Sequence, residues 1–559
     1  MGILQILITL IILFALAVPV GKYISRIITG EKSFVDPMMD RVDNIIYKFA
    51  GISRTEDMNW KQYTVAMVLT NMIMTLFLYV ILRTQEFLAL NPNGIKALEP
   101  SLAFNTAISF MTNTNLQHYS GEWGASILVQ MVLTFFMFMA PASALAISAT
   151  FLRVLCGKTK PFGNFFIDLT RFTTRLLLPL SLIAGLFFVW QGSPQTLSPT
   201  RTVTTIEGAL QDIPLGPVAA LEAIKNLGSN GGGYFGANSA HPFENPTPLT
   251  NLLTVISLGL IATALVFAFG YMLKNKKQAR VIFAAAAALL VISVGAIYYA
   301  ESAGNPQLAS AGLNQSMGNM EGKEVRFGIP GSSLFAGATT AYEVGAVNAM
   351  HDSLTPLAGM TALWNMMIQT AFGGKGMGLV YMIMYALLAV FLCGLMVGRT
   401  PEFLGKKIEE KEVKLIAVAI LLHPLLILAP SAIALVTEQG LAGITNPGFH
   451  GLSQILYEFT SSAANNGSGF EGLADNTVFW NISTGLVMLL GRYLPIVAMM
   501  AAAGSLAAKK PVPVSVGTFR TDNTLFAIIL VSVIIIVGAL TFFPAYALGP
   551  IAEQLTLGK

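Results

Sequence analysis

Charge is what this 559-residue sequence has least of: 11% of its residues are Asp, Glu, Lys or Arg, against roughly a quarter in soluble domains. With 54% hydrophobic residues and a mean hydropathy of +0.65, that scarcity excludes an ordinary globular protein. Cysteine is nearly absent. Cys156 and Cys393 are the only two, too few for a disulfide framework or a thiolate metal cluster. The five histidines form no HExxH pattern, and no DKTGT phosphorylation motif occurs. CGKTKPF (156–162) has Leu152 where a phosphate-binding loop needs its first glycine. Neither a metallohydrolase nor a nucleotide-hydrolysing chain has visible catalytic residues here.

In place of charge the sequence has long apolar runs. Stretches of about 18 or more residues, the length that crosses a hydrocarbon core, lie near 3–20, 64–82, 125–152, 173–190, 251–273, 281–299, 377–397, 413–436, 480–507 and 524–546. The expected fold is an all-α polytopic membrane protein of about ten transmembrane helices. The first run, GILQILITLIILFALAVPV, follows no basic leader and precedes no small-residue cleavage site, so it reads as a retained helix. Lys and Arg gather after the first, third, fifth, seventh and ninth runs, as in Lys274, Lys276, Lys277 and Arg280. Those segments are then cytoplasmic, and both termini lie outside. The net charge of +4 reflects this asymmetry rather than affinity for nucleic acid.

The outside segments hold four shorter apolar stretches that end in small polar residues: SLAFNTAISFMTNTN (101–115), PVAALEAIKNLGSNGGG (217–233), SSLFAGATTAYEVGAV (332–347) and LSQILYEFTSSAANNGSG (452–469). Their length suits re-entrant segments better than spans. Taking Thr114, Gly231, Gly345 and Gly467 as reference points, they recur after 117, 114 and 122 residues. This predicts four span–pore loop–span repeats of one orientation around a pseudo-fourfold ion pathway; inverted repeats would mark a rocking transporter instead. The chain then divides into an N-terminal helix and loop (1–60), pore repeats over 61–160, 161–277, 278–400 and 401–510, and a C-terminal helix (511–559). A short helix that dips in from outside points its partly negative C-terminal end at the membrane centre. Four polar strands returning from such helices form a ring of carbonyl ligands for a monovalent cation.

The motifs MNWKQY (58–63), TNTNLQ (112–117), GSNGGGYFGANSAHPFENPT (228–247), MEGKEVRFG (320–328), AVNAMHDS (346–353), GRTPEFLGKKI (398–408), SSAANNGS (461–468) and ALGPIAEQL (547–555) resemble the potassium-transporting ATPase A chain (KdpA) family along essentially the whole length. The resemblance implies a potassium-binding, channel-like subunit in a bacterial cell membrane, with potassium as its transported ion and no nucleotide bound by this chain. ATP hydrolysis would belong to a separate P-type ATPase B chain, assisted by a C chain and a small F chain, with membrane lipid as surroundings. It also implies a selectivity filter at Thr112, Asn113, Thr114 and Asn115; Ser229, Asn230, Gly231 and Gly232; Val344, Gly345 and Ala346; and Asn465, Asn466, Gly467 and Ser468. Gln117 and Glu343 lie beside it. The other reading, a free-standing Trk/Ktr-type potassium channel or symporter, uses the same four units. The extra span at each end and the motifs HPFENPT and GRTPEFLGKK favour the subunit.

Two basic residues are expected at membrane depth, and only two. Arg492 falls near the middle of the ninth run, where a charge costs about 2.5–3.5 kcal/mol, so it must face protein or water. Lys375 lies in FGGKGMG (372–378), within a run too long for one span, which predicts a helix broken at Gly373, Gly374 and Gly376. Together Gly373, Gly374, Lys375, Gly376 and Arg492 form the expected gate or barrier below the filter. By the same resemblance the chain departs from the family's pattern at Leu116, Glu343, Thr370 and Lys375.

Overall fold

The computed structural model describes residues 2–557 apart from 158–160, 375, 397, 399, 511 and 514–517. Among the described residues, ten helices are long and apolar enough to cross a membrane: Gly2–Thr29, Trp60–Thr84, Ile127–Leu155, Phe165–Gln191, Pro248–Leu273, Lys276–Ser302, Met377–Met396, Glu410–Val436, Val478–Ala508 and Thr524–Leu548. They occupy the ten apolar runs and are called spans 1 to 10 below. Polar residues start them. Asn59 accepts the Lys61 and Gln62 N–H groups ahead of span 2 while Gln62 returns to the Asn59 N–H, and Thr247 and Thr250 cap span 5 in the same reciprocal way. Each box satisfies N–H groups that a helix start leaves open.

Between paired spans lie four short helices, Pro100–Met111, Val218–Leu227, Gly328–Ala341 and Phe449–Ala464. They are called pore helices 1 to 4. Nearly all their residues are buried, as expected of helices surrounded by protein on every side. Burial also sorts the spans. The second span of each repeat (spans 3, 5, 7 and 9) has 67–83% of its most apolar window buried, whereas spans 2, 4, 6 and 8 have 22–50%. The former therefore make an inner ring around the pore helices, and the latter face outward. Span 1 lies along span 5, where Gly21 leaves no room for a Cβ against the Ala264 carbonyl. Span 10 rests on repeat 3, with Gly538 facing Trp364. A two-stranded antiparallel hairpin, Thr200–Thr204 with Leu210–Pro214, precedes pore helix 2.

Both termini share the face from which the pore helices enter. Gly2 meets Pro330 at the start of pore helix 3, and the C-terminal helix Pro550–Thr556 places Glu553 Oε1 2.8 Å from His450 Nδ1 at the start of pore helix 4. The opposite face is held by ion pairs. Arg153 of span 3 bonds Asp168 at the start of span 4 at 2.5 Å, and Tyr63 of span 2 donates to the same carboxylate at 2.9 Å. Span 4 carries a π-helical stretch, Phe172–Leu177. Its Arg175 pairs with Asp36 (2.8 Å), Asp40 (2.6 Å) and Asp43, all on the short helix Asp36–Ala50 between spans 1 and 2.

Removing one partner of a buried pair leaves the other charge uncompensated, at a cost of about 3–5 kcal/mol. Arg175 and Asp43 are both buried; Asp36 and Asp40 reach water and contribute less. Arg175→Ala is expected to lower the thermal midpoint of the detergent-solubilised chain and to expose residues 30–59 to limited proteolysis. Unchanged cleavage and midpoint would show that other contacts hold that helix.

Candidate functional site

All four pore helices end by one rule. One or two residues past each helix, Asn113, Ser229, Glu343 or Asn465 takes a left-handed backbone with φ between 49° and 63°. The next residue then donates its N–H back to the carbonyl five positions earlier: Thr114 to Ser109, Asn230 to Lys225, Val344 to Thr339 and Asn466 to Ser461, each at 2.9 Å. This is the six-to-one bond of a Schellman ending. Here it closes on Asn, Ser and Glu instead of the usual glycine.

One residue further on, Asn115 (φ 53°), Gly231 (82°), Gly345 (83°) and Gly467 (103°) are left-handed again. The equivalent positions are therefore Thr114, Asn230, Val344 and Asn466, followed by Asn115, Gly231, Gly345 and Gly467. The register of the first strand is thus corrected by one residue from the sequence reading, which set Thr114 level with the glycines. The first strand has no glycine to mark the place, and asparagine tolerates the left-handed region well enough to fill it.

The strands close on one another. A Cβ on Gly231 would meet the Val344 carbonyl oxygen and come within 3.0 Å of the Thr114 oxygen; one on Gly345 would meet the Asn466 oxygen; one on Gly467 would meet the Thr114 oxygen. Strand 1 thus touches 2, 2 touches 3, 3 touches 4 and 4 touches 1. All of these residues are buried. Among the described residues, no hydrogen bond reaches the carbonyl oxygens of Thr114, Asn115, Asn230, Gly231, Val344, Gly345, Asn466 or Gly467. Eight unclaimed carbonyls in a closed buried ring, facing the negative ends of four helices, form a set of hard oxygen ligands.

Side chains brace the ring from behind. Thr112 and Thr114 share a hydroxyl contact of 2.8 Å. The Asn113 amide donates to the Ser229 carbonyl (2.9 Å) and the Asn465 amide to the Thr114 hydroxyl (3.0 Å), joining strand 1 to strands 2 and 4. Asn230 donates to the Met137 carbonyl (3.1 Å) and Asn466 to the Thr339 carbonyl (3.0 Å). Ser468 donates to its neighbour Asn466 (2.6 Å), and Gln117 accepts the Gly233 N–H (2.7 Å). Asn238 holds the Gly232 carbonyl at 2.5 Å. Ala346 is buried without a polar side chain of its own.

Behind the outer ends of the strands sit buried charges that the sequence reading passed over. Lys225, in the last turn of pore helix 2, is fully buried against Glu222 and Glu244, each at 2.5 Å, and donates to Asn238 and Ser239. It is a buried basic residue that the sequence reading did not single out. A lone lysine near Glu222 resembles an exposed helix pair, and Glu244 lies 19 residues on. Lys323 and Glu301 pair at 2.6 Å behind strand 3. His118, just past strand 1, receives Glu458 at 3.2 Å and Asp475 at 3.7 Å on Nε2, with Asn481 at 2.7 Å on Nδ1. Burial opposes the imidazole's proton, but Asp475 and Glu458 overcome it and push the pKa up to about 9. Desolvation pushes Asp475 up to about 6 although His118 pulls it down.

Below strand 3 the third repeat is broken. A helix over Pro356–Ile368 stops at Gln369, which is left-handed, and span 7 starts at Met377. Gly373 N–H donates to the Ala341 carbonyl at 3.0 Å, and Gly374 N–H to Glu343 Oε2 at 3.3 Å. Phe372 stacks on Tyr342 at 5.5 Å. A Cβ on Gly376 would press on Ser148 of span 3 and Leu265 of span 5. The segment therefore crosses from beneath strand 3 to the inner spans of repeats 1 and 2. Lys375 lies outside the described residues. Arg492 is buried in span 9, one residue past Gly491, which abuts the Ala463 carbonyl at the end of pore helix 4. Glu343 is near enough to act on its charge, and among the described residues Arg492 forms no ion pair.

A model of the family described as potassium-transporting ATPase A subunit (KdpA) matches residues 7–555. The chain is 60% identical over 558 residues to the potassium-transporting ATPase potassium-binding subunit of Clostridium acetobutylicum, covering 100% of both. It is 55% identical over 548 residues to the protein of the same name from Geobacillus kaustophilus, covering 98% of each. Among solved structures, the potassium transporter TrkH from Vibrio parahaemolyticus superposes with a TM-score of 0.50 over 77% of this chain and 83% of that one. At 14% identity that likeness is one of fold alone. The end-to-end match of the family model, together with relatives of this identity, places the chain in the family of potassium-transporting ATPase A subunits.

Proposed function

We propose that this chain is the potassium-binding, channel-like subunit of an ATP-driven, P-type potassium-uptake complex of the bacterial plasma membrane. It selects potassium at the ring of four strands and passes it to a catalytic B chain, which hydrolyses ATP; a C chain and a small F chain complete the complex. The observation that carries the reading is the closed ring of eight buried carbonyl oxygens that no donor among the described residues reaches. Rings of such carbonyls replace the hydration shell of a monovalent cation. The alternative, a free-standing Trk/Ktr-type channel, has the TrkH-like fold in its favour, but family membership and the additional spans 1 and 10 favour the subunit. Termini outside and strand openings facing outward follow from the basic loops of the opposite face.

The filter residues are then Thr112 to Asn115, Ser229 to Gly232, Val344 to Ala346 and Asn465 to Ser468, with Gln117 and Glu343 supporting them. Below the ring, the Gly373–Gly376 segment and Arg492 form the barrier. A positive charge beside a narrow, dry path repels a cation far more strongly than it does in water. A straight descent to the cytoplasm is closed, and the ion leaves sideways toward the catalytic chain.

Gly231→Ala and Gly467→Ala each force a side chain into a left-handed position, at about 1–2 kcal/mol, and against a ligand carbonyl. In the assembled complex each is expected to raise the half-saturating potassium concentration by about tenfold or more, with unchanged values for potassium-limited uptake counting against the ring as the binding site. Arg492→Ala is expected to admit potassium into vesicles carrying the complex without ATP. A tight mutant complex would leave closure to the Gly373–Gly376 segment alone. His118 has its folded pKa raised to about 9 from an ordinary 6.5, so its contribution to stability is full below about 6.5 and fades as pH rises through about 9. The thermal midpoint should fall more steeply between pH 7 and 10 in wild type than in His118→Gln, and parallel curves would remove His118 from the strand 1 to strand 4 tie.

A further inference from the structure

The segment between spans 1 and 2 has a surface that the transport reading leaves unused. The helix Asp36–Ala50 turns Asp36, Met39, Asp43 and Tyr47 toward the protein, where Arg175 holds the aspartates. Its other side is apolar and bare. Met38 is 68% exposed, Ile45 69% and Phe49 96%, with Val42 and Ile46 between them and Phe34, 86% exposed, just ahead of the helix. At 100° per residue Ile45, Met38, Phe49, Val42 and Ile46 fall within an arc about 100° wide. Arg41 and Lys48, both exposed, fall together along one edge of that arc. Lys32 and Arg54, also exposed, flank the helix in sequence.

The depth of this helix is set by its neighbours. Span 1 ends at Thr29 and span 2 begins at Trp60, so the segment cannot move far from the membrane surface. Arg175, its anchor, stands about one, two and three turns before Leu178, Leu182 and Leu186 of span 4, which are exposed apolar residues on the outward-facing side. The helix therefore lies where the hydrocarbon begins. An apolar arc at that level, edged by lysine and arginine, matches helices that lie in the plane of a bilayer with their basic side chains at the phosphates.

We propose that the helix Asp36–Ala50 is an interfacial anchor that inserts Met38, Val42, Ile45 and Phe49 into the inner leaflet and recruits anionic lipid through Arg41 and Lys48. Charge complementarity selects this occupant: the basic edge suits acidic headgroups, and each lysine or arginine near such a surface contributes roughly fivefold in local preference. The arrangement couples lipid to span 4, because the aspartates on the other side of the helix hold Arg175 in its π-helical stretch.

The test uses the full chain with Cys156→Ser, Cys393→Ser and Phe49→Cys, spin-labelled at the new thiol and reconstituted in phosphatidylcholine vesicles with and without phosphatidylglycerol. The expected result is a label more accessible to oxygen than to a water-soluble nickel chelate, and more so with phosphatidylglycerol. Adding Arg41→Gln and Lys48→Gln should abolish the effect of phosphatidylglycerol while leaving the helix content by circular dichroism unchanged. A label open to the nickel chelate in both vesicles overturns the anchor. A label shielded from both reagents only after assembly with the other chains of the complex overturns it as well, and assigns the apolar arc to a protein partner. A phosphatidylglycerol effect that survives the double substitution removes the basic edge from the proposal.

Discussion

A carbonyl oxygen buried without a donor is costly, and eight carbonyls in one ring have no donor among the described residues. The energetic demand that follows from leaving them unpaired explains most of what surrounds them. Hydrogen-bonding them internally would have been the ordinary solution in a membrane protein, where every spanning helix satisfies its own backbone. Instead the four chain reversals present their carbonyls to a common space, and the stability lost there has to be regained elsewhere. The regain comes from two sources. The four pore helices end on the same six-to-one bond at 2.9 Å, which anchors the first N–H of each strand, and a set of amide, hydroxyl and ion-pair contacts anchors the remainder.

The braces are unequal although the backbone is nearly fourfold. Strand 1 is tied to both of its neighbours by Asn113 and Asn465, strand 2 is held at its exit by Lys225 and its acids, and strand 4 is fixed by a chain from Asn466 through Ser468 to Tyr457. Strand 3 has the least polar sequence, Val344-Gly345-Ala346, and among the described residues it is the strand with a broken helix pressed beneath it. The Gly373 and Gly374 N–H groups reach the end of pore helix 3 and the Glu343 carboxylate. The poverty of side-chain donors in strand 3 and the presence of the crossing segment are thus two aspects of one arrangement: the break supplies from below what the strand's own residues do not.

The spans were legible because a bilayer imposes a length, and ten apolar runs of that length leave little freedom. The pore helices were legible because short apolar stretches ending in Ser, Asn, Thr and Gly have no use as spans. The register of strand 1 was not. Asn115 does the conformational work of a glycine without looking like one, and only the shared i to i−5 bond reveals that Thr114 is level with Asn230, Val344 and Asn466. The charge networks were hidden for a different reason. Lys225, Glu244 and His118 find their partners through the fold, across 19 residues in one case and 340 in another, and no periodicity of a local sequence encodes such a meeting.

Buried ion pairs are weak evidence of stability, since desolvation offsets much of their attraction. Their placement here argues for another role. Lys225 with Glu222 and Glu244, Lys323 with Glu301, and His118 with Glu458 and Asp475 lie behind strand exits, where apolar packing would fill space without fixing direction. Hydrogen bonds to a charged group are directional and about twice as strong as neutral ones, so they hold a backbone in one orientation. The Glu244 carboxylate shows the principle at atomic scale. One oxygen takes the Lys225 ammonium and the other takes the Phe235 N–H at 2.8 Å, so a single buried charge sets the path by which strand 2 leaves the ring. Stability spent on burying charge is recovered as precision in the position of eight oxygens.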